Sequence, residues 1–205
     1  MTEASSLADL LRPAIKDDRV LRAIASVPRE RFVPAGERAR AYENVALPIG
    51  CGQTISQPLV VARMLELLEL GPDDRVLDVG TGSGYHAALL ARLAAEVWTI
   101  ERHAELSAEA ERAIRGLGID NVHLVVGDGA AGLPQRAPYD AINVAAAAGA
   151  SVPARLEQQL APGGRLVAPV GVDGQRLTLI RRTERGLEAK MLEPVRFVPL
   201  ISNDQ

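Results

Sequence analysis

The sequence predicts an α/β domain of the doubly wound, Rossmann-like kind: a mostly parallel sheet with helices on both faces. Three observations carry that expectation. From Leu59 to Val170, short β-branched apolar runs alternate with helix-forming stretches. One run, Val76-Leu77-Asp78-Val79, passes directly into glycines at alternate positions, Gly80, Gly82 and Gly84, and then into a stretch rich in alanine and leucine. A second acid, Glu101, closes the next apolar run, Val97-Trp98-Thr99-Ile100, about 20 residues beyond the glycines.

The elements follow in order. Leu7–Leu11 and Val20–Val27 read as short helices, the second capped by Asp17 or Asp18 and stopped by Pro28. Pro28 to Pro58 is punctuated by proline and glycine and has no clear period, and so long an irregular stretch in a compact domain is usually functional. Ser56 is placed to cap a helix running to Leu70, with Pro58 near its start. Gly71-Pro72 ends that helix and leads into the central strand, Val76–Val79. Ala87 to Leu93 supplies the next helix, Val97–Ile100 the second strand, and Ala104–Leu117 a helix ended by Gly116 and Gly118. His123–Val126, Tyr139–Val144 and Arg165–Val170 read as further strands, with a helix begun by Pro153 before the last. Gln175 to Leu200 alternates like an antiparallel pair turning near Arg185-Gly186, so an antiparallel C-terminal edge is expected. One domain results: residues 1–58 form a helical N-terminal extension with a substrate or lid loop, and 59–205 form the core.

Composition narrows the function. With 47% hydrophobic and 24% charged residues the chain is an ordinary globular one. A net charge of −3 gives no electrostatic reason to expect nucleic acid. The single cysteine, Cys51, excludes an internal disulfide framework and a cysteine-rich zinc site. His86, His103 and His123 share no ligand spacing, and no metal is expected. Trp98, in mid-strand, is expected in the core. The N-terminus lacks the apolar segment of a signal peptide and no stretch is fit to span a membrane, so a cytoplasmic monomer is expected.

The glycine block limits the ligand. A phosphate-binding P-loop needs Gly-Lys-Ser/Thr, and no lysine is present here. Dinucleotide sites favour G-x-G-x-x-G; this is G-x-G-x-G preceded by Asp78. An acidic first turn disfavours a pyrophosphate and suits the cationic amino-acid end of S-adenosylmethionine, while Glu101 is placed to grip ribose hydroxyls. Asp78, Gly80, Thr81, Gly82, Ser83, Gly84 and Glu101 are therefore the candidate cofactor residues, and they resemble motif I of the class I methyltransferases.

Further blocks make the resemblance specific. VPRERFVP (Val27–Pro34), LPIG (Leu47–Gly50), QTISQP (Gln53–Pro58), GDG (Gly127–Gly129), APYDAI (Ala137–Ile142), LAPGGRLVAPVG (Leu160–Gly171) and VRFVPL (Val195–Leu200) occur in that order. Together they resemble the protein-L-isoaspartate (D-aspartate) O-methyltransferases, with QTIS joined to a terminal FVPL the most telling pair. The resemblance implies methyl transfer from S-adenosylmethionine to the free α-carboxylate of L-isoaspartyl residues in damaged proteins and peptides, whose ester then collapses to a succinimide. It adds Asp128 and Gly129 to the cofactor residues. It places Gln53, Thr54, Ile55, Ser56, Val198, Pro199 and Leu200 against the substrate, with Ser56 the catalytic candidate. A class I methyltransferase acting on a dedicated peptide aspartate or a small-molecule carboxylate is the alternative. The chain departs from the family after the fourth strand, where Val144 is followed by AAAAGASVP instead of V-T-A-A-x-P or V-G-A-A-x-P.

The acceptor chemistry asks for little. The carboxylate is already ionised near neutral pH, so no general base is required. Charge is annihilated as it meets a sulfonium, so firm pairing with Arg or Lys would favour the ground state. A neutral hydroxyl such as that of Ser56 suits the task better.

Overall fold

The computed structural model describes residues 2–202. Its centre is a seven-stranded sheet formed by β3 (Arg75–Val79), β4 (Glu96–Glu101), β5 (Val122–Val126), β6 (Tyr139–Val144), β7 (Leu160–Val170), β8 (Arg176–Thr183) and β9 (Gly186–Pro194). The order across the sheet is β5-β4-β3-β6-β7-β8-β9. Pairs from β5 to β7 are parallel, and β8 and β9 add antiparallel strands at one edge. The order reverses between β3 and β6, and ligands of such sheets bind beyond the carboxyl ends of the strands at that reversal. The glycine turn after β3 lies there.

Helices α3 (Pro58–Leu68), α4 (Tyr85–Leu90), α5 (Ala104–Arg115) and α6 (Ala154–Glu157) join or flank these strands. The N-terminal extension contributes α1 (Glu3–Leu11) and α2 (Asp18–Ser26), whose leucines, valines and isoleucines join the larger core with α3 and α4. A second apolar cluster, including Leu77, Ile142, Leu156 and Leu166, fills the opposite face of the sheet. Asp17 is the residue that caps α2, its carboxylate accepting from Arg19 N–H at 2.8 Å. Helix α4 stops at Leu90, short of the predicted Leu93. The Asn121 amide takes the carbonyls of Ala91 at 3.0 Å and Ala94 at 3.2 Å, which closes the helix end.

Four local expectations need correcting. The stretch from Pro28 to Pro58 is not structureless: it holds two 3₁₀ turns, Arg29–Phe32 and Ala35–Arg40, and a small hairpin of β1 (Leu47–Pro48) with β2 (Thr54–Ile55). Ser56 does not cap α3; Gln57 holds that position, and Asn44 from the preceding loop accepts from Leu59 N–H at 2.9 Å instead. The antiparallel pair ends at Pro194 rather than Leu200. Trp98 is half-buried at the rim of the second core cluster, where it is covered by polar side chains: it stacks on His123 at 4.4 Å and has the Arg136 guanidinium 4.3 Å from its ring centre.

Beyond Pro194 the chain turns back over the carboxyl ends of the strands. Gln175 holds both main-chain groups of Phe197, accepting from its N–H at 2.6 Å and donating to its carbonyl at 3.1 Å. Ala147 then exchanges two main-chain bonds with this segment, to Val198 O and from Leu200 N–H, each 2.8 Å. The alanine run after β6 thus seats the C-terminal segment beside the glycine turn.

Candidate active site

The site starts from the turn. Val79 ends β3, and Gly80 and Gly82 carry positive φ, +92° and +51°, which side chains rarely adopt. Gly80 N–H donates to Ile100 O at 2.9 Å, tying the turn to the end of β4. Glu101, the last residue of β4 and 6% exposed, accepts from Gly82 N–H at 2.9 Å through Oε2 and from His103 N–H at 3.0 Å through Oε1. Its carboxylate holds the turn and also lines a cavity.

That cavity gathers most of the predicted residues. Gln53, Thr54, Ile55, Ser56, Gly80, Thr81, Gly82, Ser83, Glu101, Gly129, Val198, Pro199 and Leu200 all line it. Asp78, Gly84 and Asp128 do not, and each has a visible structural task. Asp78 lies wholly buried beneath the turn, accepting from Asn143 Nδ2 at 2.7 Å and Thr99 Oγ1 at 2.8 Å. A Cβ on Gly84 would stand 2.9 Å from Ala110 Cβ, so this glycine lets α4 pack on α5. Asp128 accepts from Ala130 N–H at 2.9 Å and shapes the turn that presents Gly129. A Cβ on Gly129 would meet Val79 at 2.7 Å, so no other residue fits there without movement.

Sequence reasoning missed Val61, Tyr85, His86, Ile100, Arg102, His103, Ala145, Ala146 and Ile201, which also line the cavity. Position beside Glu101 is the signal that could have found Ile100, Arg102 and His103; nothing local distinguishes His86. Asn143 Nδ2 sits 3.3 Å from His86 Nδ1, the accepting nitrogen in the tautomer with its proton on Nε2. Burial pushes this imidazole down to about 3, so it stays neutral. Asp78 moves the other way. Burial raises its carboxyl, the bonds from Asn143 and Thr99 lower it, the nearby Glu101 charge raises it, and the result is about 6.

The cavity encloses about 100 Å³ and adjoins a groove of about 760 Å³ across Thr54, Ser56, Ala145 and Val198. The hairpin corner Gly50–Gly52 carries two left-handed residues, Cys51 (φ +57°) and Gly52 (φ +68°). Ser56 stands at the junction of cavity and groove, and its hydroxyl makes no hydrogen bond to another described residue. Among the described residues no group of three or more His, Cys, Asp or Glu is arranged to hold a metal ion.

A glycine turn at the sheet's reversal, an acid at the end of the neighbouring strand and a cavity between them define a class I methyltransferase. Comparison with known proteins gives the family. The model of the protein-L-isoaspartate(D-aspartate) O-methyltransferase family matches residues 3–205. The protein-L-isoaspartate O-methyltransferase of Roseiflexus castenholzii is 55% identical over 201 residues, spanning 97% of this chain and 92% of its own. That of Shewanella amazonensis is 50% identical over 204 residues, 99% of this chain and 96% of its own. A solved structure from Plasmodium falciparum, described as a protein of this family in complex with S-adenosyl-L-homocysteine, superposes with a TM-score of 0.86 at 28% identity, covering 99% of this chain and all 100% of that one. The chain belongs to the protein-L-isoaspartate O-methyltransferase family.

Proposed function

We propose that this protein transfers the methyl group of S-adenosylmethionine to the free α-carboxylate of L-isoaspartyl residues in peptides and proteins, which begins their repair through a succinimide. The single observation that carries the reading is the junction of the two spaces at Ser56: the cavity at the glycine turn on one side and an open groove on the other.

The residues fit this cofactor. Gly80 and Gly82 line the cavity with bare backbone in left-handed conformations, Gly129 packs too closely on Val79 for a side chain, and Glu101 offers carboxylate oxygens to a ribose diol. Asp78 and Glu101 make the turn unfavourable for an anion and favourable for a cation. When bound, the sulfonium supplies an electrophilic methyl carbon and a thioether leaving group. The chain's own task is alignment. Ser56 donates its unengaged hydroxyl to one oxygen of the acceptor carboxylate, leaving the other free to attack in line with the breaking bond. Ala145, Ala146 and Val198 present no charge that would pair with the acceptor, and the Gln53–Ile55 wall excludes water.

The groove is lined by Pro194, Val195, Arg196, Phe197 and Val198 opposite Thr54 and Gln57, which suits an extended peptide held by its backbone. The reading includes a soluble monomer of the cytoplasm; no helix among the described residues is long and apolar enough to cross a membrane. The test is methyl transfer to an isoaspartyl peptide beside its aspartyl twin. Turnover confined to the isoaspartyl form is expected, and equal rates on both would overturn the repair assignment.

A further inference from the structure

Arg29 heads the largest fully buried side chains of the protein, with 0% of its surface exposed. Its hydrogen bonds go to carbonyls: Nε donates to Ala41 O at 2.8 Å, and Nη2 to Ser56 O at 2.9 Å and Val45 O at 3.4 Å. The guanidinium carbon lies 5.0 Å from the ring centre of Tyr85, the first residue of α4 after the glycine turn. Nη1 is buried with no partner. Burial lowers this group to about 10, and the groups that pull it back upward are the tyrosines Tyr85 and Tyr42 rather than a carboxylate.

A buried cation without an acid is costly, and a neutral amide would bridge two carbonyls more cheaply. What the guanidinium adds is a planar fork that reaches three carbonyls on two loop segments at once, and a charge. Both meet at Ser56. The carbonyl of Ser56 and the N–H of Gln57 belong to one peptide unit, so a cation on the oxygen side strengthens the N–H as a donor. Gln57 and Ser56 both line the acceptor groove.

We propose that Arg29 is a positioning residue for the methyl acceptor. It fixes Ser56 through its carbonyl and, one peptide removed, supplies a positive potential that draws the anionic carboxylate without pairing with it. Direct pairing would stabilise the ground state that methylation must leave; a charge set behind the peptide does so less. The inference rests on the assignment of the Ser56 junction to the acceptor carboxylate.

Arg29→Lys and Arg29→Gln separate charge from geometry. With both folded and saturated with cofactor, Arg29→Gln is expected to raise KM for an isoaspartyl peptide about tenfold or more and to lower kcat. Arg29→Lys should recover much of the KM through its charge, while kcat stays low because one ammonium cannot span the three carbonyls. Binding of S-adenosylhomocysteine, read by calorimetry, should change less than threefold in either. Wild-type KM and kcat in folded Arg29→Gln would reduce the residue to packing. Should the variants not fold, the unmodified enzyme answers: the Gln57 amide and Arg29 guanidinium resonances move on adding isoaspartyl peptide with S-adenosylhomocysteine, and stationary signals at saturation overturn the proposal. Failure of the wild type to methylate the isoaspartyl peptide at all would count against the acceptor assignment instead.

Discussion

Glu101 closes the glycine turn with its own carboxylate, Oε2 accepting the Gly82 N–H at 2.9 Å. The acid that would hold ribose is therefore also what keeps the turn in its binding shape. Glu101→Ala removes both, so the loss should exceed that of a ribose contact alone. A hydrogen bond to a charged group is worth about 1.5–3 kcal/mol, and losing two or more predicts at least a hundredfold weaker binding of S-adenosylhomocysteine. Calorimetry checks this. Glu101→Gln, which keeps an acceptor for Gly82, should lose less, and equal losses would mean that the turn does not depend on the carboxylate.

Gly84 tests the separation of packing from binding within one motif. Its φ is +86°, and an added Cβ would come within 2.9 Å of Ala110 Cβ and 3.2 Å of Ala110 Cα. The left-handed conformation costs a non-glycine roughly 1–2 kcal/mol and overpacking typically another 1–3 kcal/mol. Gly84→Ala should therefore lose about 2–5 kcal/mol of stability by denaturant titration. Cofactor affinity of the folded fraction should fall far less than in Glu101→Ala. A stable variant with poor binding would put Gly84 in the site after all.

Asp78 sets a pH dependence. Its folded value of about 6 lies above the ordinary 3.8, so the folded state holds this proton more tightly than the unfolded chain does. Stability from this group is present at low pH and is lost as pH rises from about 4 through about 6. A cation bound above the turn favours the ionised carboxylate. Affinity for S-adenosylmethionine should accordingly rise as pH increases through about 6, with proton release on binding. Calorimetry from pH 5 to 7.5 in buffers of different ionisation heat reads both effects. Asp78→Asn should flatten the profile, and an unchanged profile in that variant would assign the dependence to another group.

The fold was legible because each core strand is a short apolar run bounded by breakers, and the glycine turn fixes where strand becomes helix. Most of the cavity lining was legible for the same reason: Gly80, Thr81, Gly82 and Ser83 lie in one unbroken block, with Glu101 closing the next strand. Gly84 and Asp78 belong to that block too, yet one faces α5 and the other lies under the turn. Motif membership cannot separate them, because direction depends on the packing of α4 and on the sheet register Asp78↔Asn143. Arg29 and His86 were illegible for a related reason. Their partners are main-chain carbonyls up to 27 residues away and a side chain 57 residues on, which no local spacing encodes.

Ser56, the proposed ligand of the acceptor carboxylate, does not cap α3, and that sets what its mutation should show. Had it capped α3, Ser56→Ala would cost about 1 kcal/mol of stability. Asn44 serves the helix start instead, accepting from Leu59 N–H at 2.9 Å, so the melting temperature should barely move. The hydroxyl is free for the acceptor, and removing a bond to a charged oxygen worth about 1.5–3 kcal/mol slows transfer roughly ten- to hundredfold if the transition state feels the full loss. Cofactor affinity should stay near wild type, since Gly80, Gly82 and Glu101 are untouched. Melting temperature, calorimetric binding of S-adenosylhomocysteine and single-turnover methylation of an isoaspartyl peptide, all on this one variant, decide the matter. Full-speed transfer by the cofactor-saturated variant would leave alignment to the main-chain N–H groups around Gln57 and remove Ser56 from the catalytic set.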